Sequence, residues 1–125
     1  MQTTLLHVEQ LSTFIESSQN VPMPSRLSFA LIKFYEKIKE NRGFYLEKLN
    51  EILRENVEID ANGQIIVEKG SPIFKENSVE NYNKAAQELA LTLVDIPSLA
   101  IPLEDLEKLP MTIAQMAILK DFIVE

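Results

Sequence analysis

The sequence predicts a mainly α-helical protein of the α+β class, a bundle of about four helices, one of them long, with a single β-hairpin near residues 57–68. Apolar residues recur at helical spacing along most of the 125 residues. Only the stretch VEIDANGQIIV, from residue 57, alternates apolar and polar residues around a turn. The composition, 46% hydrophobic and 25% charged, is ordinary for a globular protein. We therefore expect one domain, residues 1–125, with its own core.

Charge and cysteine content exclude several functional classes. The chain carries 19 acidic and 12 basic residues, a net charge of -7, which argues against a surface that follows nucleic-acid phosphates. The acidic residues alternate with lysines, as in YEKIKENRGFYLEKLNEILREN, which is typical of a solvated helix face. There is no cysteine, so disulfides and thiolate metal sites are excluded. Residues 1–20 lack a signal-peptide pattern and no apolar run is long enough to span a membrane, so we expect a cytoplasmic protein without a membrane partner.

The first two helices are predicted from apolar stripes. Residues 3–18 form the first, and the stretch NVPMPS interrupts the chain before the second. Gly43 costs about 1 kcal/mol relative to Ala in a helix interior, so we expect a kink or break near residues 41–43. The apolar side of the first helix comprises Val8, Leu11, Phe14 and Ile15, and that of the long helix Leu27, Leu31, Phe34, Ile38, Tyr45, Leu49, Ile52 and Leu53.

The hairpin register can be argued from the sequence. A two-residue Asn62-Gly63 loop would place Val57 opposite Glu68. A three-residue loop, residues 61–63, places Ile59 opposite Ile65 and Val57 opposite Val67, which gathers four β-branched residues on one inward face. It also places Gly63 where a left-handed residue is required. The three-residue loop is therefore favoured, and residues 98–101 (SLAI) are a candidate for a third strand beside it.

Two N-terminal capping boxes are predicted further along the chain. Asn77 and Glu80 have the spacing for the first, before a helix whose inward residues would be Tyr82, Ala85, Ala86, Leu89 and Leu93. A helix of one or two turns is expected near residues 103–109. Thr112 and Gln115 have the spacing for the second capping box, before a short final helix.

Catalytic and ligand-binding patterns are missing from the sequence. An EF-hand counted from Asp60 would need Gly and Glu where Ile65 and Ser71 stand. The single histidine, His7, lies at the edge of an apolar stripe, where a boundary residue is the simpler interpretation. The acidic residues Glu36 and Glu40, and those of LEDLEKL (Glu104, Asp105 and Glu107), are typical of solvated helix surface. With three glycines there is no phosphate-binding loop. We predict no catalytic residues, no cofactor, no metal site and no enzymatic activity.

Several segments resemble a family of small phage and prophage proteins from Gram-positive bacteria, domain of unknown function 1617. They are PSRLSFALIKFYEKI, IDANGQI, AAQEL, an extended segment containing Ile-Pro, and a leucine-rich acidic end. The resemblance spans nearly the whole chain. It implies a phage origin and a non-enzymatic role in virion assembly or in binding a host protein, and therefore a location in the host cytoplasm or in the virion.

The leading functional hypothesis is a helical protein that acts by protein–protein contact, with itself or with a phage or host protein, as a virion or tail assembly factor or a self-assembling accessory protein. One alternative is an acidic inhibitor of a host enzyme or an anti-phage defence complex. Another is a metal-dependent nuclease or phosphatase that uses the acidic residues. A homo-oligomer interface would have aromatic anchors on the long helix and apolar residues of IPSLAIP, and interior packing of the same residues is the alternative. The candidate interface residues are Phe34, Phe44, Tyr45, Ile96, Leu99 and Ile101.

Overall fold

The computed structural model describes residues 1–125, and the chain forms two compact units. The first unit contains residues 1–42 and 93–125, and the second contains Gly43–Thr92. The predicted α+β class with one long helix is confirmed. The helices are α1 Leu5–Ser17, α2 Ser25–Asn56, α3 Val79–Ala90, α4 Leu103–Leu106 and α5 Ile113–Leu119, which continues into a 3₁₀ turn, Lys120–Phe122. The strands are β1 Gln2–Thr4, β2 Val67–Glu68, β3 Ser71–Pro72, β4 Leu93–Asp95, β5 Ile101–Pro102 and β6 Ile123–Val124.

The first unit begins with a strand that the sequence did not indicate. β1 pairs antiparallel with β4, with Thr3 opposite Val94. Helix α1 therefore starts at Leu5, two residues later than predicted, and the Thr4 hydroxyl caps it by accepting a hydrogen bond from the His7 amide at 3.2 Å. The partner strand lies about ninety residues away in the sequence, so local periodicity could not reveal this pairing.

The core of the first unit is built from α1, the first part of α2 and the C-terminal segments. Arg42 of α2 donates to Glu9 and Glu16 of α1 beside this core. β5 and β6 pair in parallel, with Ile101 opposite Ile123. The predicted third strand at residues 98–101 is therefore wrong in its partner and largely in its position. Ile101 alone belongs to a strand, and it pairs with the end of the chain because its side chain is part of this core.

Helix α2 runs without interruption through Gly43, so the expected break does not occur. The predicted stripe is confirmed for five positions, which are buried, and the other three are half-buried. The buried side chains are Leu27, Leu31, Phe34, Ile38 and Tyr45. No helix combines the length and the apolar sequence that crossing a bilayer requires.

The hairpin of the second unit has the predicted three-residue loop. Ile59 is bridged to Ile65, and Gly63 has a positive φ of 78°. One carboxylate oxygen of Asp60 accepts hydrogen bonds from the amides of Asn62, at 2.8 Å, and Gln64, at 3.0 Å. This is the Asx-turn chemistry that favours Asp before a tight turn.

The predicted pairing of Val57 with Val67 is wrong. Val57 is bridged to Phe74 rather than to Val67, and Val67 pairs with Pro72. The chain reverses a second time at Lys69 and Gly70, whose φ angles are 53° and 81°, the sign required by a two-residue hairpin turn. Because of this second reversal, residues 71–74 occupy the place expected for Val67. Val57 is buried, whereas Val67 and Ile59 are exposed, so the single inward face does not form.

One predicted capping box is confirmed and the other is wrong. Thr112 and Gln115 exchange hydrogen bonds at 2.9 and 3.1 Å at the start of α5. Asn77 instead has a left-handed φ of 60°, and α3 begins at Val79 with no side-chain cap. Leu93, predicted to face inward from this helix, is exposed and lies in β4, because α3 ends at Ala90.

Candidate functional site

His7 has a structural environment. Its Nε2 lies 2.8 Å from the Ile118 carbonyl oxygen and its Nδ1 lies 2.6 Å from the Thr3 hydroxyl. A carbonyl can only accept, so Nε2 carries a hydrogen and donates it, and in the neutral ring Nδ1 accepts from Thr3. The ring also packs against Phe122, with a centroid distance of 5.8 Å. Nε2 therefore attaches the start of α1 to α5, and Nδ1 attaches it to β1.

The acidic residues do not converge on a ligand site. Nowhere do three or more His, Cys, Asp or Glu side chains come close enough together to hold a metal ion. Of the acidic residues singled out in the sequence, Glu36, Glu40 and Glu107 are exposed. Asp105 is the exception, because only 4% of it is exposed. Its carboxylate accepts hydrogen bonds from the Arg26 guanidinium, including one at 2.9 Å from Nε.

Arg26 and Arg42 each bind two carboxylates. Arg26 donates to Asp105 and also to Glu104 at 2.7 Å, and hydrogen bonds to Asp105 first and Glu104 second raise the pKa of Arg26 above its ordinary value. Arg42 lies between Glu9 and Glu16, and the hydrogen bond that it donates to Glu9 is the main reason that its pKa is also raised. Both arginines are paired with carboxylates on other helices of the chain. Charge-assisted hydrogen bonds of this kind are strong, so the two arginines join elements of the fold.

Four of the six predicted interface residues are buried in the chain itself. They are Phe34, Tyr45, Ile96 and Ile101. Leu99 is half-buried and packs against the core, whereas Phe44 is 48% exposed. These four residues therefore pack in the interior of the chain, which was the alternative to an interface. The interface hypothesis is thus left with Phe44 and the accessible part of Leu99.

The most exposed apolar side chains of α2 were missed in the sequence. Phe29 is 64% exposed and Ile32 is 56% exposed, and we call these two residues the outer patch. Successive residues of an α-helix are rotated by about 100° around its axis. Phe29 and Ile32 therefore lie more than about 130° from Leu27, away from the buried stripe. The helical periodicity that identified the stripe could therefore have identified the outer patch as the apolar residues outside it.

The surroundings of the outer patch are apolar on one side and charged on the other. The Lys33 ammonium lies 5.3 Å from the centre of the Phe29 ring, a cation–π contact. A cavity of about 300 Å³ adjoins Ile32 between the end of α1 and the start of α2. Its apolar lining residues are Ile15, Val21, Met23, Leu31 and Ile32. The patch therefore continues into a shallow groove that could receive an apolar side chain.

A second groove, of about 630 Å³, lies beside α4 and β6. It is lined by Glu104, Glu107 and Glu125 together with Pro102, Leu103 and Val124. Three carboxylates around apolar side chains give this groove a negative potential, which favours a basic segment as its ligand.

Comparisons of the chain with protein families, with curated proteins and with solved structures found no match. The resemblance to phage proteins therefore stays a prediction, and the site has to be interpreted from its own geometry.

Proposed function

We propose that the protein acts by protein–protein contact and that the outer patch on α2 is where it binds. The observation that carries this proposal is the exposure of Phe29 and Ile32, two large apolar side chains three residues apart on a regular helix. Aromatic and aliphatic side chains of this kind are the usual anchors of protein interfaces. The resemblance stated above suggests virion or tail assembly, or a self-assembling accessory role, as the setting of this contact.

The local charges support a binding surface of the usual composition. The outer patch is bordered by Lys33 and Glu36, so an apolar centre has a polar rim. α2 is held in place on its opposite side by core residues, among them Leu31 and Phe34. A surface on a well-packed helix needs little ordering when it binds, which reduces the entropic cost of association.

Affinity capture with matched variants tests the proposed function. The immobilised wild-type chain is exposed first to purified copies of itself and then to a lysate of the organism that encodes it. The same is done with the Phe29→Ala/Ile32→Ala variant and with Val67→Ala, a control that removes an exposed apolar side chain of the second unit. We expect a bound protein with the wild type and with Val67→Ala, and its loss with the double variant. Equal binding by all three chains, or by none, would contradict the proposal.

A second candidate function, the acidic inhibitor, is supported by the groove lined by Glu104, Glu107 and Glu125. In this case the partner would be a basic surface, and its capture would decrease steeply with salt because exposed charges are screened beyond about 8 Å at physiological ionic strength. Glu107→Gln removes one carboxylate of the groove without touching Arg26. It should weaken such a capture, whereas Phe29→Ala should leave it unchanged.

A further inference from the structure

We infer that the outer patch binds a second copy of the same chain, with the two α2 helices antiparallel and crossing between Phe29 and Ile32. This inference rests on the proposed function and names its partner. In the pairing, Phe29 of each copy contacts Ile32 of the other, so paired residues have numbers that add up to 61. Apolar residues three apart on one helix face form the a and d positions of a two-helix seam, and the outer patch supplies one such pair.

Glu36 lies where α2 of the second copy begins. In this register it lies level with Ser25 of the second copy, the first residue of α2. The first turn of a helix carries a positive partial charge from its backbone N–H groups, and a carboxylate placed there is stabilised. Both ends of the seam have this arrangement because of the two-fold symmetry. The pairing therefore places a negative side chain at each positive helix end.

Lys33 lies on one flank of the seam. It lies nearly level with Arg26 of the second copy, and two cations would repel each other if they were alone. Arg26, however, already binds both Asp105 and Glu104, so this cluster carries one negative charge more than positive. The Glu104 side chain is 70% exposed and can accept Lys33. The flank of the seam is thus complementary in charge rather than repulsive.

The cavity beside Ile32 extends the apolar surface at one edge of the seam. It is lined by Val21, Met23 and Ile15 as well as Ile32, and it opens next to the seam. Two rings and two isoleucines make a small apolar centre, so we expect a dimer that forms and dissociates with concentration rather than a permanent one. Surface ion pairs contribute modestly to the free energy of association. The charges therefore do not set the register alone but add to the apolar contacts.

A mixed-cysteine experiment tests the register. The chain has no cysteine, so any disulfide reports only the introduced thiols. Full-length Ser25→Cys and Glu36→Cys, the second carrying a mass tag, are oxidised separately and as a mixture. In the mixture the two thiols are level and can reach disulfide distance. In either single sample the two identical thiols are offset by eleven residues, about 16 Å along the helix.

The expected result is a mixed Ser25→Cys/Glu36→Cys disulfide about tenfold more abundant than either symmetric disulfide. A mixture of Ser25→Cys with Glu88→Cys, an exposed position of α3, measures random collisions. A mixed disulfide no more abundant than this background would overturn the inference. Symmetric disulfides as abundant as the mixed one would overturn the antiparallel register.

The two proposals fail in different ways. If the wild-type chain stays monomeric and the mixture of Ser25→Cys with Glu36→Cys forms no mixed disulfide above background, but the wild-type chain captures another protein through the outer patch, the second-copy inference is wrong and the proposed function stands. If Phe29→Ala/Ile32→Ala captures every partner as well as the wild type does, the proposed function itself fails.

Discussion

The two compact units differ sharply in how much apolar surface they bury. Of the 15 buried apolar residues, 13 lie in the first unit, and only Tyr45 and Val57 lie in the second. Burial of apolar area is the main favourable contribution to folding, so the first unit should be the more stable of the two. The second unit has few buried apolar residues to hold it, so we expect it to open locally at lower free energy.

This difference gives exposed apolar residues a different meaning in each unit. Phe44, Val67 and Val79 are exposed in a unit with few buried residues, where exposed apolar surface follows from the small core. Phe29 and Ile32 are exposed in the unit that contains 13 of the 15 buried apolar residues. Under the proposed function, their exposure serves binding.

The largest effect should come from truncating the core of the first unit. Phe122→Ala removes a ring that is 1% exposed and meets Phe34 edge-on at 5.6 Å. We expect the free energy of unfolding to decrease by about 3–5 kcal/mol because of the lost burial and the cavity left behind. Urea unfolding followed by circular dichroism measures it. A decrease below about 1 kcal/mol would show that this core is not tightly packed.

Val57→Ala makes the corresponding test in the second unit. Val57 is fully buried, and losing two methyl groups should cost about 2 kcal/mol. We also expect the effect to stay local, with faster amide hydrogen exchange in residues 57–74 and unchanged exchange in α1. Hydrogen-exchange mass spectrometry provides the measurement. Equal acceleration in both units would mean that they unfold together and would weaken the comparison.

Gly63→Val tests how far the second unit depends on its turns. The φ of Gly63 is 78°, and no atom lies within 4 Å of an added Cβ, so the cost is conformational rather than steric. A left-handed β-branched residue should cost about 1–2 kcal/mol. Thermal unfolding should show a lower Tm, with Asn62→Ala as a milder control in the same loop. An unchanged Tm would refute the turn assignment.

The smallest effect is a gain in stability. Gly43 lies inside α2, and an added Cβ would meet nothing within 4 Å. Gly43→Ala should therefore raise the free energy of unfolding by about 0.5–1 kcal/mol, since Ala loses less backbone entropy in a helix. Urea titration of the two proteins side by side would show it. A loss of stability would indicate that α2 needs glycine at this position.

Local sequence signals predicted the elements well where short-range chemistry decides them. The buried side of α2, the Asp60–Gly63 turn and the Thr112–Gln115 capping box depend on neighbours within about seven residues. Pairings between distant segments were missed, namely β1 with β4 and β5 with β6. Their strands have two or three residues each, too few for an alternating pattern to show.

The type of candidate site follows from the sequence, but most of its residues do not. Surface contact on the long helix was proposed from the sequence, but most of the residues named for it are buried, because aromatic residues fill cores as readily as they anchor interfaces. Phe34 and Phe29 have the same side chain and lie on the same helix. Only their positions around it decide which one reaches solvent, and these could have been compared in the sequence.

Sedimentation velocity over a concentration series tests the central claim most directly. The wild-type chain should shift from its 14.3 kDa monomer towards a dimer as its concentration rises. Phe29→Ala should remain monomeric, whereas Phe44→Ala should dimerise like the wild type. Phe44 is a matched control, because it is also an exposed phenylalanine of α2 with a lysine, Lys48, over its ring at 5.8 Å. A wild-type chain that is monomeric at every concentration, or a loss of dimer with Phe44→Ala but not with Phe29→Ala, would contradict self-association through the outer patch.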